Sequence, residues 1–153
     1  MRHLELKVPP VGLTIIVGVL MFACFKALPN ASFAFPGMKI VAALLLVAAT
    51  VVGVVSVHTF RRHETTVNPL APDNASAIVT EGIYGYTRNP MYLALALALA
   101  AWGVYLGNLA ALALVAVFVV YLTRFQIRPE ERALEALFGD EFREYTRRVR
   151  RWI

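Results

Sequence analysis

The chain has a single cysteine, Cys24, in 153 residues. That excludes an internal disulfide and any cysteine-built zinc cluster. Its place inside an apolar run reads as a small packing residue. Histidine is almost as scarce, with His3, His58 and His63. His58 and His63 stand five apart and no HExxH or CxxC spacing occurs, so no metal site is expected. Neither a Gly-x-Gly-x-x-Gly turn nor a P-loop is present, and the length allows about one domain. A separate soluble nucleotide-binding domain is therefore excluded. Charged residues make up only 16% of the chain. No basic patch with interleaved aromatics stands apart from the apolar runs, so no nucleic-acid partner is expected.

Long apolar runs are what the chain has in place of these features. Hydrophobic residues reach 59%, and residues 8–25, 40–60 and 90–123 carry no Lys, Arg, Asp or Glu. A helix needs roughly 20 apolar residues to cross a bilayer core of about 30 Å. Each of the first two runs fits one span. The third, at about 51 Å of helix, is too long for one. Gly107-Asn108 near its middle offers turn chemistry, which predicts a hairpin of Pro90–Leu106 and Leu109–Arg124. Both arms are slightly short, and a partly re-entrant hairpin is the alternative.

The expected fold is all-α: an integral membrane protein with about four transmembrane helices and a C-terminal amphipathic helical segment. Residues 1–153 read as one domain. Its parts are spans at 8–28 and 39–60, a connection at 61–89, a hairpin at 90–124 and tail helices at 125–153. Lys and Arg distribute unevenly over these parts. Arg2 and Lys7 precede the first span, Arg61, Arg62 and Arg88 lie between the second and third, and eight arginines follow the fourth. Only Lys26 and Lys39 flank the first short loop. With four spans and the positive-inside rule, both termini fall in the cytoplasm of a bacterial or archaeal cell. The net charge of +5 favours anionic lipid headgroups as partners. The first run is long for a signal peptide and no small-x-small cleavage site follows it.

Pro9-Pro10 suits the start of the first helix. The 61–89 connection contains Asn68-Pro69 and Ala71-Pro72-Asp73, which favour extended or turned backbone. Its interleaved apolar residues argue against disorder. Pro129 fits the first turn of a tail helix whose Glu130 and Glu131 complement the dipole. Leu134, Leu137 and Phe138 then share one face. Gly139 suits a C-cap and Asp140 an N-cap for a second tail helix. On that helix Phe142, Tyr145 and Val149 line one face. Arg143, Arg147, Arg148, Arg150 and Arg151 are expected towards headgroups or water.

Few residues here can carry chemistry. Arg88 stands at the start of the third helix. It is either a headgroup anchor or a planar fork for a carboxylate or phosphate. Pro90 at N1 leaves helix N-terminal amides free, and these favour anions. Glu130 and Glu131 are either helix N-terminal acids or acceptors for ribose hydroxyls or an amine. Neighbours on a helix point about 100° apart, so one of the two faces any given ligand. Tyr84, Tyr86 and Tyr92 are either interfacial aromatics or a frame for a planar ring. His63-Glu64 is a weak base candidate at a helix end.

Four segments together are more specific than any one of them. They are Ile78-Val79-Thr80-Glu81-Gly82-Ile83-Tyr84, Arg88-Asn89-Pro90-Met91-Tyr92, Glu130-Glu131 and Phe138-Gly139-Asp140-Glu141-Phe142. In this order across a membrane hairpin, they resemble the integral-membrane methyltransferases that include isoprenylcysteine carboxyl methyltransferases and phospholipid N-methyltransferases. The resemblance covers about Thr65 to Ile153. It implies S-adenosylmethionine as cofactor, with Val79, Tyr84, Asn89, Pro90, Tyr92 and Glu130 in contact with it. Arg88 and Glu131 match the same motifs and join that set. It implies a lipophilic acceptor that enters from the bilayer, with Arg124 or Arg128 on the substrate side. Prenylcysteine enzymes have histidine where this chain has Asn89, and their substrate-side arginine lies in a different register. These departures bear on the acceptor more than on the cofactor. The alternatives are an NADPH-dependent membrane reductase related to sterol reductases, and a small membrane protein without enzymatic activity. The sequence names neither the acceptor, nor a general base, nor the oligomeric state.

Overall fold

The computed structural model describes residues 5–62 and 78–153. His3, His63, Glu64 and most of the 61–89 connection lie outside the described residues. The rest is helical: α1 (Pro10–Ala27), α2 (Met38–Arg62), α3 (Pro90–Leu106), α4 (Leu109–Leu122), α5 (Arg128–Phe138) and α6 (Asp140–Arg148). Short 3₁₀ turns occur at Pro29–Ala31 and Gly82–Gly85. Among the described residues there is no strand, only an isolated bridge between Ser32 and Asn108.

The α3–α4 hairpin turns where Gly107-Asn108 predicts it. Gly107 adopts φ 60°, ψ 45° and caps α3, a left-handed conformation that costs glycine little. A Cβ there would also sit 2.5 Å from the Phe33 carbonyl oxygen. Asn108 is fully buried. Its side-chain oxygen accepts from the Ala111 amide at 3.0 Å, and its amide nitrogen donates to the Leu28 carbonyl at 2.9 Å. One side chain thus caps α4 and ties it to the end of α1.

Packing follows side-chain size. Gly53 of α2 faces α3, and an added Cβ would make ordinary contact with the Ala94 Cβ at 3.5 Å. Small residues allow this approach where no water drives helices together. On the other side of α3, Met21, Leu99, Ala111, Phe118, Leu122 and Ile127 form the buried core. The outward faces are apolar instead of polar: Ile15, Val19, Ile40, Leu44 and Val54 are each about two-thirds exposed. Such a continuous apolar surface is disfavoured in water and matches hydrocarbon.

Three helices are long and apolar enough to cross a membrane: Pro10–Ala27, Met38–Arg61 and the continuous stretch Leu109–Phe138. α3 is shorter, at 17 residues. Here the structure departs from the sequence reading. The helix expected to stop near Arg124 continues through a π-turn, Thr123–Ile127, into α5. Pro129 is the cause, because it has no N–H to donate to the carbonyl four residues back. That carbonyl, on Phe125, accepts instead from the Leu6 amide at 3.0 Å. The extra residue of the π-turn makes room for the ring. A second departure is at the α5–α6 junction, where Gly139, with φ 55°, is the residue flanking both helices and Asp140 is already helical.

Candidate functional site

Pro90 opens α3, and the segment before it is fixed from below by the tail. The Arg88 amide donates to the Arg150 carbonyl at 3.0 Å. The Asn89 side chain donates to the Arg151 carbonyl at 2.9 Å. Thr87, which is buried, donates to the same carbonyl at 3.4 Å and accepts from the Asn89 amide at 3.2 Å. The tail therefore adopts an extended course after α6, satisfying backbone groups that no helix would satisfy.

The two glutamates part company, as their 100° separation requires. Glu130 turns to α3. Its Oε1 accepts from the Tyr92 hydroxyl at 2.5 Å and from Gln126 Nε2 at 2.6 Å. Gln126 and Tyr92 are both buried, so this is a carboxylate held by neutral donors at a protected helix end. Glu131 turns to the cations. Arg88 Nη2 reaches its Oε1 at 2.7 Å, while Arg151 grips it with Nε at 3.0 Å and Nη2 at 2.6 Å. A guanidinium fork matches a carboxylate in this bidentate way. The hydrogen bonds with Glu131 hold the Arg151 guanidinium above its usual pKa. Arg88 also donates to the carbonyls of Thr146, at 3.2 Å, and Val149. Its Nε is buried without a partner.

Tyr84 lies below this network. Its ring tilts against Phe60 at 5.4 Å between centroids, and its carbonyl accepts from the Tyr145 hydroxyl at 2.7 Å. Burial pushes the Tyr145 phenol up to about 12, against the nearby Arg88 charge, and raises Tyr84 as well. A pocket of about 360 Å³ opens at the ion cluster and is also lined by Phe142 and Arg143. No group of three or more metal-ligating side chains occurs among the described residues.

The structure thus brings Arg88, Asn89, Pro90, Tyr92, Glu130 and Glu131 together at one end of the helices. Val79 and Tyr84 are buried, Tyr84 against α6. Tyr86 stands apart at 82% exposure. Arg124 and Arg128 are exposed. Arg151, expected to face headgroups or water, is instead two-thirds buried in the ion cluster. Its carbonyl and its fork are both used. Nothing in a run of arginines marks one of them for such a role. Gln126 was missed too, although its position four residues before Glu130 on one helix face is a legible signal.

A family model described as phospholipid methyltransferase matches residues 38–141, more than half of the chain. An uncharacterized protein of Haemophilus influenzae is 49% identical over 63 residues, which is 41% of this chain and all of that protein. No solved structure matches.

Proposed function

The chain belongs to the phospholipid methyltransferase family, and from that premise we propose that it transfers a methyl group from S-adenosylmethionine to a lipophilic acceptor in the bilayer. With its long apolar helices it is an integral membrane protein. The arginine bias of the site-bearing end favours the cytoplasm for cofactor entry, and exposed arginines there suit anionic headgroups.

The observation that carries the reading is the contact between motifs far apart in sequence, Tyr92 with Glu130 and Arg88 with Glu131. When bound, the cofactor supplies an electrophilic methyl group on a sulfonium and leaves as the neutral thioether. Glu130 fits such a group: its carboxylate is an acceptor for ribose hydroxyls and a counter-charge to a sulfonium. Val79, Tyr84, Asn89 and Pro90 belong to the proposed cofactor set through their motifs. Arg88 and Glu131 hold the wall of the site through their mutual ion pair. Arg124 and Arg128, exposed on the same helix end, steer an anionic acceptor. Alignment and exclusion of water are the main contributions of such a site. A carboxylate or thiolate acceptor reaches it already ionised and needs no general base.

Calorimetric titration of S-adenosylhomocysteine into detergent-purified protein tests this, with NADPH in parallel. Micromolar binding of the former alone is expected, and its loss in Glu130→Ala with the fold retained. NADPH binding alone, or binding of neither by folded protein, refutes the proposal.

A further inference from the structure

The geometry points to Arg151 as a positioning residue for the methyl-transfer site, an inference that rests on the methyltransferase reading above. Three contacts carry it. The Arg151 guanidinium holds both oxygens of Glu131, at 3.0 and 2.6 Å. The Arg151 carbonyl accepts from Asn89 at 2.9 Å. The neighbouring Trp152 donates its indole N–H to Thr123 in the π-turn at 3.1 Å.

These contacts fix both halves of the site from one point. Glu131 is anchored by two arginines, and this sets the rotation of α5 about its own axis. The same rotation sets where Glu130 stands, because adjacent helical residues differ by about 100°. Without the Arg151 fork, Glu131 keeps only its contact with Arg88 Nη2, so the rotation of α5 is less tightly set and Glu130 is held less firmly against the Tyr92 hydroxyl. On the loop side, the Arg151 carbonyl fixes the amide of Asn89, the residue immediately before Pro90. The indole of Trp152 holds the π-turn that carries Gln126, the second donor to Glu130. Arg151 itself does not touch Glu130 or Tyr92, so it acts through Glu131 and Asn89.

The side-chain part is separable from the backbone part. Arg151→Ala removes the fork and keeps the carbonyl. Arg151→Lys keeps the charge but offers a point donor in place of a planar pair. The test is calorimetric titration of S-adenosylhomocysteine into the full chain in detergent, well below each variant's thermal midpoint. Arg151→Ala is expected to weaken binding about tenfold, within the range for residues coupled in one ion-pair network. Arg151→Lys is expected to recover only part of that. Glu131→Gln is expected to weaken binding similarly, and the double variant no more than the worse single one. A lower midpoint with unchanged affinity in the Ala and Lys variants would show a purely structural role and overturn the inference, leaving the methyltransferase reading intact. Additive losses in the double variant overturn it as well. Where Arg151→Ala does not fold, the Lys variant decides. Wild-type protein that binds no S-adenosylhomocysteine overturns the underlying reading and this inference with it.

Discussion

Removing Glu131 should cost far more stability than removing Arg151, because the cluster is asymmetric. Glu131 is the single anion between two cations, and its side chain is 18% exposed, against 11% for Arg88 and 33% for Arg151. Glu131→Ala therefore leaves two facing guanidinium groups without a counter-charge, one of them nearly buried. Breaking a buried pair from one side costs roughly 3–5 kcal/mol. Arg88 keeps two carbonyl acceptors, which places the expected loss near the lower end, about 3 kcal/mol. Arg151→Ala leaves the Arg88–Glu131 pair intact and removes a partner that is one-third exposed. Solvent screening limits that loss to about 1 kcal/mol. The assay is thermal unfolding of each variant in one detergent, followed by tryptophan fluorescence. The midpoint should fall by roughly 6–12 °C for Glu131→Ala and by roughly 2–4 °C for Arg151→Ala. The double variant should be no less stable than Glu131→Ala, since the second change removes a stranded charge. Equal losses in the two single variants, or an Arg151→Ala loss exceeding that of Glu131→Ala, would refute the asymmetric-cluster argument.

Other outcomes follow from the same geometry. Asn108→Ala removes a helix cap and strands the Leu28 carbonyl, and should lower stability by about 2 kcal/mol, read as a midpoint shift. Gly107→Ala forces a Cβ into the left-handed region against the Phe33 carbonyl, and should lower stability by at least about 1 kcal/mol in the same measurement. Pro129→Ala restores a donor for the Phe125 carbonyl, so the π-turn should close. S-adenosylhomocysteine binding should weaken while the thermal midpoint holds or rises; an unchanged affinity would sever the link between the π-turn and Glu130. Tyr145 titrates higher when folded, at about 12, than the roughly 10 of an unfolded phenol. Its contribution is thus present below about pH 10 and lost as pH rises towards 12. Tyr145→Phe should flatten that alkaline decline in a midpoint-versus-pH series.

The sequence is most legible where a residue type has one structural use. Gly107-Asn108 marks the hairpin turn and Pro90 marks a helix start, and both stand where chain chemistry alone puts them. The convergence of Arg88, Asn89, Tyr92, Glu130 and Glu131 was legible through the order of their motifs. Pro129 stands in the first turn of α5 as its chemistry predicts, but the unbroken join to α4 was not legible, because proline has two uses. It begins a helix when nothing precedes it, and it induces a π-turn when a helix does and another chain segment satisfies the abandoned carbonyl. That segment is Leu6, far away in sequence, and periodicity carries no trace of it. Arg151 was illegible for a related reason. Five arginines follow Phe142 with similar local surroundings, and only the tertiary position of Glu131 selects one.

The network around Arg88 also bears on the order of events in folding and opening. The α3–α4 hairpin closes over two residues, whereas the Arg88, Asn89 and Tyr145 bonds join positions 58 to 62 apart in sequence. Loop closure over such distances comes late, after local hairpins have formed. The same bonds form a cooperative unit of α6 and the tail, joined to the bundle by these polar contacts together with the buried Phe142 and Tyr145 rings and Trp152. Such a unit opens at a lower free energy than the global fold. On warming, the amides of α6 should exchange with solvent before those of α3 and α4. The protein would then lose its ligand site while its membrane helices remain assembled.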